Sequence, residues 1–351
     1  MTAGPPLRQL GTTDIKISRV GFGAWAIGGG GWSFAWGPQD DNDSIAAMRH
    51  AVERGINWID TAAVYGLGHS EEVVGRMLAG LGRESRPYIF TKCGMIWSDD
   101  RMKDAVRSLA HIRRECEASL RRLGVDRIDL YQFHWPDATG IPVEESWRVM
   151  EQLVEEGKVR AIGVSNFDTS LLRRIDAIRH VDSLQPPFSL IRRDAAAVEI
   201  PWCNAHRTGV IVYSPMQSGI LTDTFTADKV KQMPGDDWRK RSPNFQTPRL
   251  EKNIGLRDAL KPIAERRQTT VAAVAVAWTL AWPGVTGAIV GARSPQQVDG
   301  WLDAATLELT AGDLDEIATT IDRLGVGSGP AHPPSPTRRQ PADSEAQIDA
   351  R

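Results

Sequence analysis

The stretch NWIDTAAVYG, residues 57–66, has the pattern of a short buried strand that ends in small residues. Trp58 and Ile59 are apolar, Asp60 stands where the strand should end, and Tyr65 follows beside a glycine. In α/β proteins the loops at the carboxyl ends of parallel strands carry most of the chemistry. The stretch therefore predicts a carboxylate and a phenol on the rim of a sheet or a barrel.

Seven similar apolar segments occur elsewhere, and amphipathic helical segments separate them. The eight predicted strands cover residues 19–26, 57–62, 88–94, 128–135, 159–166, 183–187, 209–215 and 287–292. Nearly continuous apolar strands with helical crossovers indicate a parallel sheet that is covered on its outside. Eight such units are the number that closes a (β/α)8 TIM barrel. An open doubly wound sheet would favour a GxGxxG turn after the first strand, but Ala26 stands at the third glycine position.

Three pieces fall outside the repeat of strands and helices. Residues 7–19 have the pattern of a β-hairpin around TTD that closes the barrel floor. Residues 216–250 form a long polar loop after the seventh strand, a candidate cofactor lid. We expect one barrel domain over residues 1–326, followed by a disordered tail over 327–351, where proline and polar residues cannot build a core.

Composition excludes several classes of protein. The net charge is −2, with 42 basic and 44 acidic side chains, so neither nucleic acid nor a membrane surface is an expected partner. Cys93, Cys116 and Cys203 show no CxxC spacing, which favours a reducing compartment, and no metal site is predicted. The amino terminus lacks an apolar signal core, and the apolar run 271–282 is too short to cross a bilayer. We expect a cytoplasmic protein.

Four chemically distinct side chains stand at three successive strand ends. Asp60 and Tyr65 follow strand two, Lys92 lies in strand three and His134 in strand four. A free tyrosine has a pKa near 10, and a neighbouring cation lowers it. We expect Asp60 to hold Lys92, and Lys92 to lower the pKa of Tyr65. Each residue alone has an ordinary structural explanation, but their conjunction favours a catalytic site.

Six motifs in chain order resemble the aldo-keto reductase family. They are IDTAAVYG, FTKCG, LYQFHWPD, GVSNF, VIVYSP and IVGARSPQQV, and the resemblance runs from about residue 7 to 324. It implies hydride transfer between NADPH and a carbonyl or alcohol substrate. It also implies that Tyr65 is the general acid/base and that Asp60, Lys92 and His134 complete a catalytic tetrad.

The same resemblance implies a set of coenzyme contacts. Ser165, Asn166 and Gln185 would bind the nicotinamide carboxamide, and Tyr213 would stack on the ring. Arg293 at a helix amino terminus suits the 2'-phosphate of NADP, although Trp301 stands where relatives carry an adenine-binding asparagine. The full implied set is Gly23, Ala24, Trp25, Asp60, Ser165, Asn166, Gln185, Tyr213, Ser214, Pro215, Met216, Gln217, Ser218, Gly219, Leu221, Gly291, Ala292, Arg293 and Gln297.

Tryptophans are abundant, with 12 in the chain, and several fall on the expected active face. The predicted substrate contacts are Trp25, Trp32, Trp36, Tyr65, Trp97, His134 and Trp135. Flat apolar rings around a polar tetrad suit sugar rings or bulky aromatic carbonyls. The glycine-rich loop 28–41 is expected to have a mobile tip with few buried contacts. Two alternatives remain open: a sugar or cyclic polyol dehydrogenase that works in the oxidative direction, and a nicotinamide-binding regulatory subunit.

Overall fold

The computed structural model describes residues 5–97, 106–235 and 237–334. Eight parallel strands form a closed barrel in the order β3-β4-β5-β8-β9-β10-β11-β12, with β12 paired to β3. The strands are β1 (Leu7–Gln9), β2 (Lys16–Ser18), β3 (Val20–Gly23), β4 (Trp58–Asp60), β5 (Tyr88–Cys93), β6 (Met95–Ile96), β7 (Val106–Arg107), β8 (Ile128–Phe133), β9 (Val159–Ser165), β10 (Ser183–Gln185), β11 (Gly209–Tyr213) and β12 (Val285–Gly291). The predicted (β/α)8 barrel is confirmed.

Helices surround the barrel, and polar side chains cap several of their amino termini. They are α1 (Asp41–Glu53), α2 (His69–Ala79), α3 (Ile112–Leu123), α4 (Val143–Glu155), α5 (Thr169–Asp176), α6 (Glu199–His206), α7 (Ala227–Gln232), α8 (Arg249–Ala259), α9 (Lys261–Arg266), α10 (Val271–Leu280), α11 (Pro295–Leu302) and α12 (Ala311–Leu324). The side chain of Asp40 accepts hydrogen bonds from the first turn of α1, and Ser294 does the same for α11. The apolar run that begins at Val271 forms α10, which is buried along its whole length.

The inside of the barrel has an apolar layer with a polar layer above it. The apolar layer contains Trp58, Phe90, Leu130, Ala161, Ile211 and Ile289. Because side chains two residues apart share one face of a strand, the next inward positions are Asp60, Lys92 and Gln132. All three are buried. Strand alternation thus stacks the candidate catalytic groups directly above an apolar core.

The amino-terminal hairpin closes the lower end of the barrel, as predicted. β1 and β2 pair antiparallel, with Leu7 opposite Ser18. Leu10, Ile15 and Ile17 belong to the same buried cluster as Trp58 and exclude water from that end. The functional end is therefore the opposite one.

Two segments are more ordered than their composition suggested. The stretch 216–250 contains α7, three short 3-10 helices and the start of α8, so it is not a structureless loop. Residues 327–334, predicted as tail, pack against the barrel: the amide of Arg193 donates to Ser328 O at 3.0 Å, and Pro333 is buried. Glycines at 325, 327 and 329 have positive φ, which lets the chain turn there. Residues 335–351 lie outside the described part of the chain.

Within the described ranges, no helix has both the length and the apolar character needed to cross a bilayer.

Candidate active site

Asp60 and Lys92 form a buried ion pair at the carboxyl ends of β4 and β5. Lys92 Nζ donates to Asp60 Oδ1 at 2.5 Å and to the carbonyl oxygen of Thr61 at 2.9 Å. Both side chains are almost fully buried. Burial raises the pKa of Asp60 and lowers the pKa of Lys92, while their mutual attraction opposes both shifts. The predicted pairing is present, and it keeps the ammonium in one place.

The second oxygen of Asp60 accepts hydrogen bonds from two amides. Gln185 Nε2 donates to Asp60 Oδ2 at 2.9 Å, and Gln132 Nε2 donates to the same oxygen at 3.4 Å. The two glutamines also contact each other, since Gln185 Nε2 lies 3.3 Å from Gln132 Oε1. Four buried side chains from β4, β5, β8 and β10 therefore form one connected polar network.

Tyr65 stands on a tight turn between β4 and α2. Gly66 has φ 61°, and a Cβ there would lie 2.1 Å from Gly28 O, so only glycine allows the two turns to approach this closely. This contact places Tyr65 in the ring of candidate residues. Lys92 Nζ lies 5.2 Å from the centroid of the Tyr65 ring, and the His134 ring lies 5.5 Å from it. The structure thus brings together all four members of the predicted tetrad.

The pKa of Tyr65 differs from the expectation. Desolvation by the surrounding side chains raises the pKa of Tyr65 well above its ordinary value, and the negative charge of Asp60 acts in the same direction. Lys92 does not offset these two effects. The phenol is therefore held protonated at neutral pH, which suits a proton donor better than a proton acceptor.

His134 is the neutral member of the group. Burial lowers the pKa of His134 well below its ordinary value, and the charge of Lys92 adds to that shift. The carbonyl oxygen of His134 accepts from Asn166 Nδ2 at 3.0 Å, which ties the ends of β8 and β9 together. A neutral imidazole beside the phenol can orient a substrate oxygen without competing for the role of acid.

Asp60, Tyr65, His134 and Gln185 line one large cavity of about 960 Å³ at the carboxyl end of the barrel, whereas the buried Lys92 and Gln132 are not part of its lining. Its size matches pockets that hold a whole cofactor or drug-sized ligand. All seven predicted substrate contacts line it: Trp25, Trp32, Trp36, Tyr65, Trp97, His134 and Trp135. Of the predicted coenzyme residues, Gln217 and Leu221 are not in the lining. Gln217 Oε1 instead accepts from Ser189 Oγ at 2.8 Å, and Leu221 is fully buried.

The described residues fit a nicotinamide dinucleotide. Tyr213 O–H donates to Asn166 Oδ1 at 2.8 Å, and Asn166 Nδ2 donates to Ser165 Oγ at 3.0 Å. This chain of hydrogen bonds leads to Gln185, whose backbone carbonyl oxygen accepts from Ser165 Oγ at 2.8 Å. After β11, Ser214, Gln217 and Ser218 have positive φ, a backbone shape in which successive amides can face one anion.

Arg293, the expected phosphate-binding residue, lines the cavity but is already engaged by the loop after β3. Its Nε donates to Gln39 Oε1 at 2.5 Å, and its Nη atoms donate to the carbonyl oxygens of Trp36 and Pro38. In return, Gln39 Nε2 donates to Arg293 O at 3.0 Å. Trp301, at the position where the resemblance implied an adenine-binding asparagine, is 2 % exposed, and its indole Nε1 has no partner among the described residues.

Tryptophans of two separate loops pack together above Tyr65. Trp25 stacks on Trp238 with ring centroids 5.3 Å apart and meets Trp36 edge-on at 5.4 Å. The guanidinium of Arg239 lies 4.4 Å from the centroid of the Trp36 ring. Trp32 is 8 % exposed. The expectation of a loop with few buried contacts is therefore wrong, because an aromatic cluster fixes residues 28–41 to the segment after β11.

The model of the aldo/keto reductase family matches residues 19–322. The chain belongs to this family. It is 35 % identical over 335 residues to the aldo-keto reductase YhdN of Bacillus subtilis (strain 168), covering 95 % of this chain and 98 % of that protein. It is 36 % identical over 329 residues to an NADH-specific methylglyoxal reductase of Escherichia coli (strain K12), covering 90 % of this chain and 98 % of that protein.

Solved structures of other family members are similar to this aldo/keto reductase. A glycerol dehydrogenase from Gluconobacter oxydans superposes with a TM-score of 0.81 at 36 % identity, covering 95 % of this chain and 99 % of the other. An aldo-keto reductase from Bacillus halodurans, in its holo form, gives a TM-score of 0.74 at 26 % identity, covering 90 % and 96 %. The protein is thus an oxidoreductase of a family that uses nicotinamide coenzymes.

Sequence reasoning missed several residues of this site. Gln132 was detectable, since a polar residue two positions from both Leu130 and His134 must share their inward face. Gln39, Trp238 and Arg239 gave no comparable signal. They lie in loops without periodicity, so only the folded chain shows that they meet the cavity-lining residues.

Proposed function

We propose that this protein is an NADP-dependent carbonyl reductase that acts on aldehydes or ketones, with Tyr65 as the proton donor. The convergence of Asp60, Tyr65 and His134 on the cavity, with Lys92 buried beside Asp60 and Tyr65, carries this proposal. A protonated phenol beside a fixed ammonium is arranged to protonate a carbonyl oxygen.

Each side chain has a definite part in the reaction. Bound NADPH would supply a hydride to the carbonyl carbon. The Tyr65 O–H bond breaks as its proton passes to the carbonyl oxygen, which becomes the alcohol hydroxyl. Lys92 stabilises the resulting phenolate, which then regains a proton from solvent, and neutral His134 orients the oxygen. Asn166, Gln185 and Tyr213 would hold the nicotinamide, and Arg293 would bind the 2'-phosphate.

The aromatic lining favours a substrate with one flat or apolar face. Trp25 and Trp32 each lie 6.2 Å from the Tyr65 ring, measured between centroids. Two relatives are named for small substrates, methylglyoxal and glycerol. We therefore propose small aldehydes and dicarbonyls as well as aromatic aldehydes as candidate substrates, and the corresponding alcohols in the reverse direction.

The test is an NADPH absorbance assay over a panel of methylglyoxal, glyceraldehyde, benzaldehyde, a cyclic ketone and glucose. We expect turnover with at least one aldehyde. Tyr65→Phe should lower kcat by roughly 10²–10⁴-fold while coenzyme binding stays unchanged. Tyr88→Phe is the matched control, because Tyr88 lies at the amino-terminal end of β5, away from Lys92 and the cavity. A Tyr65→Phe variant that keeps more than about a tenth of the native rate would contradict the assigned role.

A further inference from the structure

Gln132 is a fully buried amide near the carboxyl end of β8, and it does not contribute to the cavity lining. A buried amide is costly unless both of its ends find partners. Its Nε2 donates to Asp60 Oδ2 at 3.4 Å, and its Oε1 accepts from Gln185 Nε2 at 3.3 Å. It therefore joins the residue that holds Lys92 to a residue that faces the coenzyme site.

The charge of Asp60 fixes the orientation of both amides. An ionised carboxylate only accepts hydrogen bonds, so both glutamines must turn their NH2 groups toward Asp60. Gln185 Nε2 has two hydrogens, and these serve Asp60 at 2.9 Å and Gln132 at 3.3 Å. The side-chain oxygen Oε1 of Gln185 is thereby left to accept a hydrogen bond from a ligand in the cavity, which Gln185 lines. An acceptor at that point matches the NH2 group of a carboxamide.

We propose that Gln132 is a positioning residue for the reaction. It holds Asp60 against Lys92, and it fixes the side chain of Gln185 with Oε1 toward the coenzyme. The inference rests on the proposed roles of Asp60, Lys92 and Gln185. Gln132 acts only through these residues. Without it, Asp60 loses one of two donors to Oδ2, and Gln185 loses the acceptor that engages its second hydrogen.

The first test replaces the amide with an apolar chain of similar length. In Gln132→Met, kcat should fall roughly tenfold to a hundredfold, the size of one lost hydrogen bond to a charged group, with KM little changed. The acid limb of the kcat profile should move to higher pH, because Asp60 ionises less readily with one donor fewer. The matched control is Thr91→Val, which removes a buried 2.6 Å hydrogen bond to Glu71 one residue from Lys92. This control should keep the native kcat and pH profile.

A second variant remains informative if Gln132→Met folds poorly. In Gln132→Glu, the introduced carboxyl can replace the amide only while it is protonated, since its ionised form would face the carboxylate of Asp60. Activity should be near native at acid pH and fall steeply as pH rises. A Gln132→Glu profile parallel to the native one would overturn the proposal, as would a Gln132→Met variant with native kcat and pH profile.

Coenzyme binding supplies a readout that does not depend on turnover. Quenching of tryptophan fluorescence gives Kd values for NADPH and for its 3-acetylpyridine analogue, whose acetyl group has no N–H to donate. The native protein should bind NADPH several-fold more tightly, and Gln132→Met should reduce that preference while Thr91→Val retains it. An equal preference in all three proteins would refute the role of Gln132 toward Gln185. Absence of native turnover over the whole panel would refute the proposed function instead, and the binding ratios would still decide the role of Gln132.

Discussion

Arg293 and Gln39 hold each other through two hydrogen bonds although they lie 254 positions apart in the chain. Arg293 Nε donates to Gln39 Oε1 at 2.5 Å, and Gln39 Nε2 donates to Arg293 O at 3.0 Å. A guanidinium proposed to bind a phosphate is thus partly satisfied by a neutral side chain. If Arg293 binds a 2'-phosphate as proposed, the phosphate competes with Gln39 for Nε, and we expect this contact to lower the affinity for NADPH relative to NADH.

The first prediction is that Gln39→Ala strengthens the preference for NADPH. Freeing one donor of Arg293 should raise the ratio of the NADH Kd to the NADPH Kd by roughly tenfold, the size of one charge-assisted hydrogen bond. Fluorescence titration with both coenzymes measures the ratio. Gln152→Ala is the control, since Gln152 accepts from Arg113 on an exposed surface far from the cavity. The idea is wrong if the two variants show the same ratio.

The second prediction concerns the pH dependence of the two reaction directions. Because desolvation and Asp60 raise the pKa of Tyr65, carbonyl reduction should stay nearly constant across neutral pH, where the phenol is protonated. Alcohol oxidation needs the phenolate, so its kcat should climb through the alkaline range. Lys92→Met removes the cation that stabilises the phenolate, and the climb should move to still higher pH. Stopped-flow rates of oxidation against pH measure this shift, and an unchanged profile in Lys92→Met would exclude the coupling.

The third prediction concerns Trp36. It contacts Trp25, Trp238 and the guanidinium of Arg239, which joins the loop 28–41 to the segment after β11. Trp36→Ala should therefore lower stability by about 2 kcal/mol and impair all substrates to a similar degree, as expected for loss of packing.

Thermal unfolding and the substrate panel together test this role of Trp36. Trp36→Phe should recover most of the stability, because a smaller ring still fills part of the space. If Trp36→Ala keeps the native melting temperature and lowers turnover only of ring substrates, Trp36 is a substrate contact and does not hold the two loops together.

The fourth prediction concerns Glu115 on α3, outside the catalytic site. Burial raises the pKa of Glu115 to about 7, against a partial opposing effect from the amide of Gly94, which donates to Glu115 Oε2 at 3.0 Å. Between the ordinary pKa of glutamate and pH 7, the folded protein holds a proton that the unfolded chain has released. Stability should therefore fall as pH rises through this window, by about 3 kcal/mol.

Glu115→Gln tests this prediction by removing the titration. The variant should be more stable than the native protein at pH 8 and lose most of the dependence on pH between 5 and 7. Thermal melts at a series of pH values measure both effects. Glu117→Gln on the same helix is the control, because Glu117 is exposed and should leave the pH dependence intact. Equal slopes for the native protein and Glu115→Gln would show that Glu115 does not titrate in this range.

The barrel and the tetrad were predictable from the sequence because both depend on local patterns. Apolar strands alternate with amphipathic helices, and eight such units close a barrel whose functional end is set by strand direction. Asp60, Lys92 and His134 stand at strand ends, and a glycine-containing turn follows Tyr65. Period-two alternation also places Gln132 on the inward face, so even this residue was within reach of the pattern.

Only the tertiary structure determined the direction of the pKa shifts of these groups and which loops contact one another. The pKa of Tyr65 depends on how completely its neighbours exclude water, and the presence of Lys92 nearby suggested the opposite direction. Gln39 binds Arg293, and Trp25 stacks on Trp238, because barrel closure brings the loops after β3, β11 and β12 to one rim. Loops carry no periodicity, so their contacts across hundreds of residues follow from the closed fold and not from any local pattern.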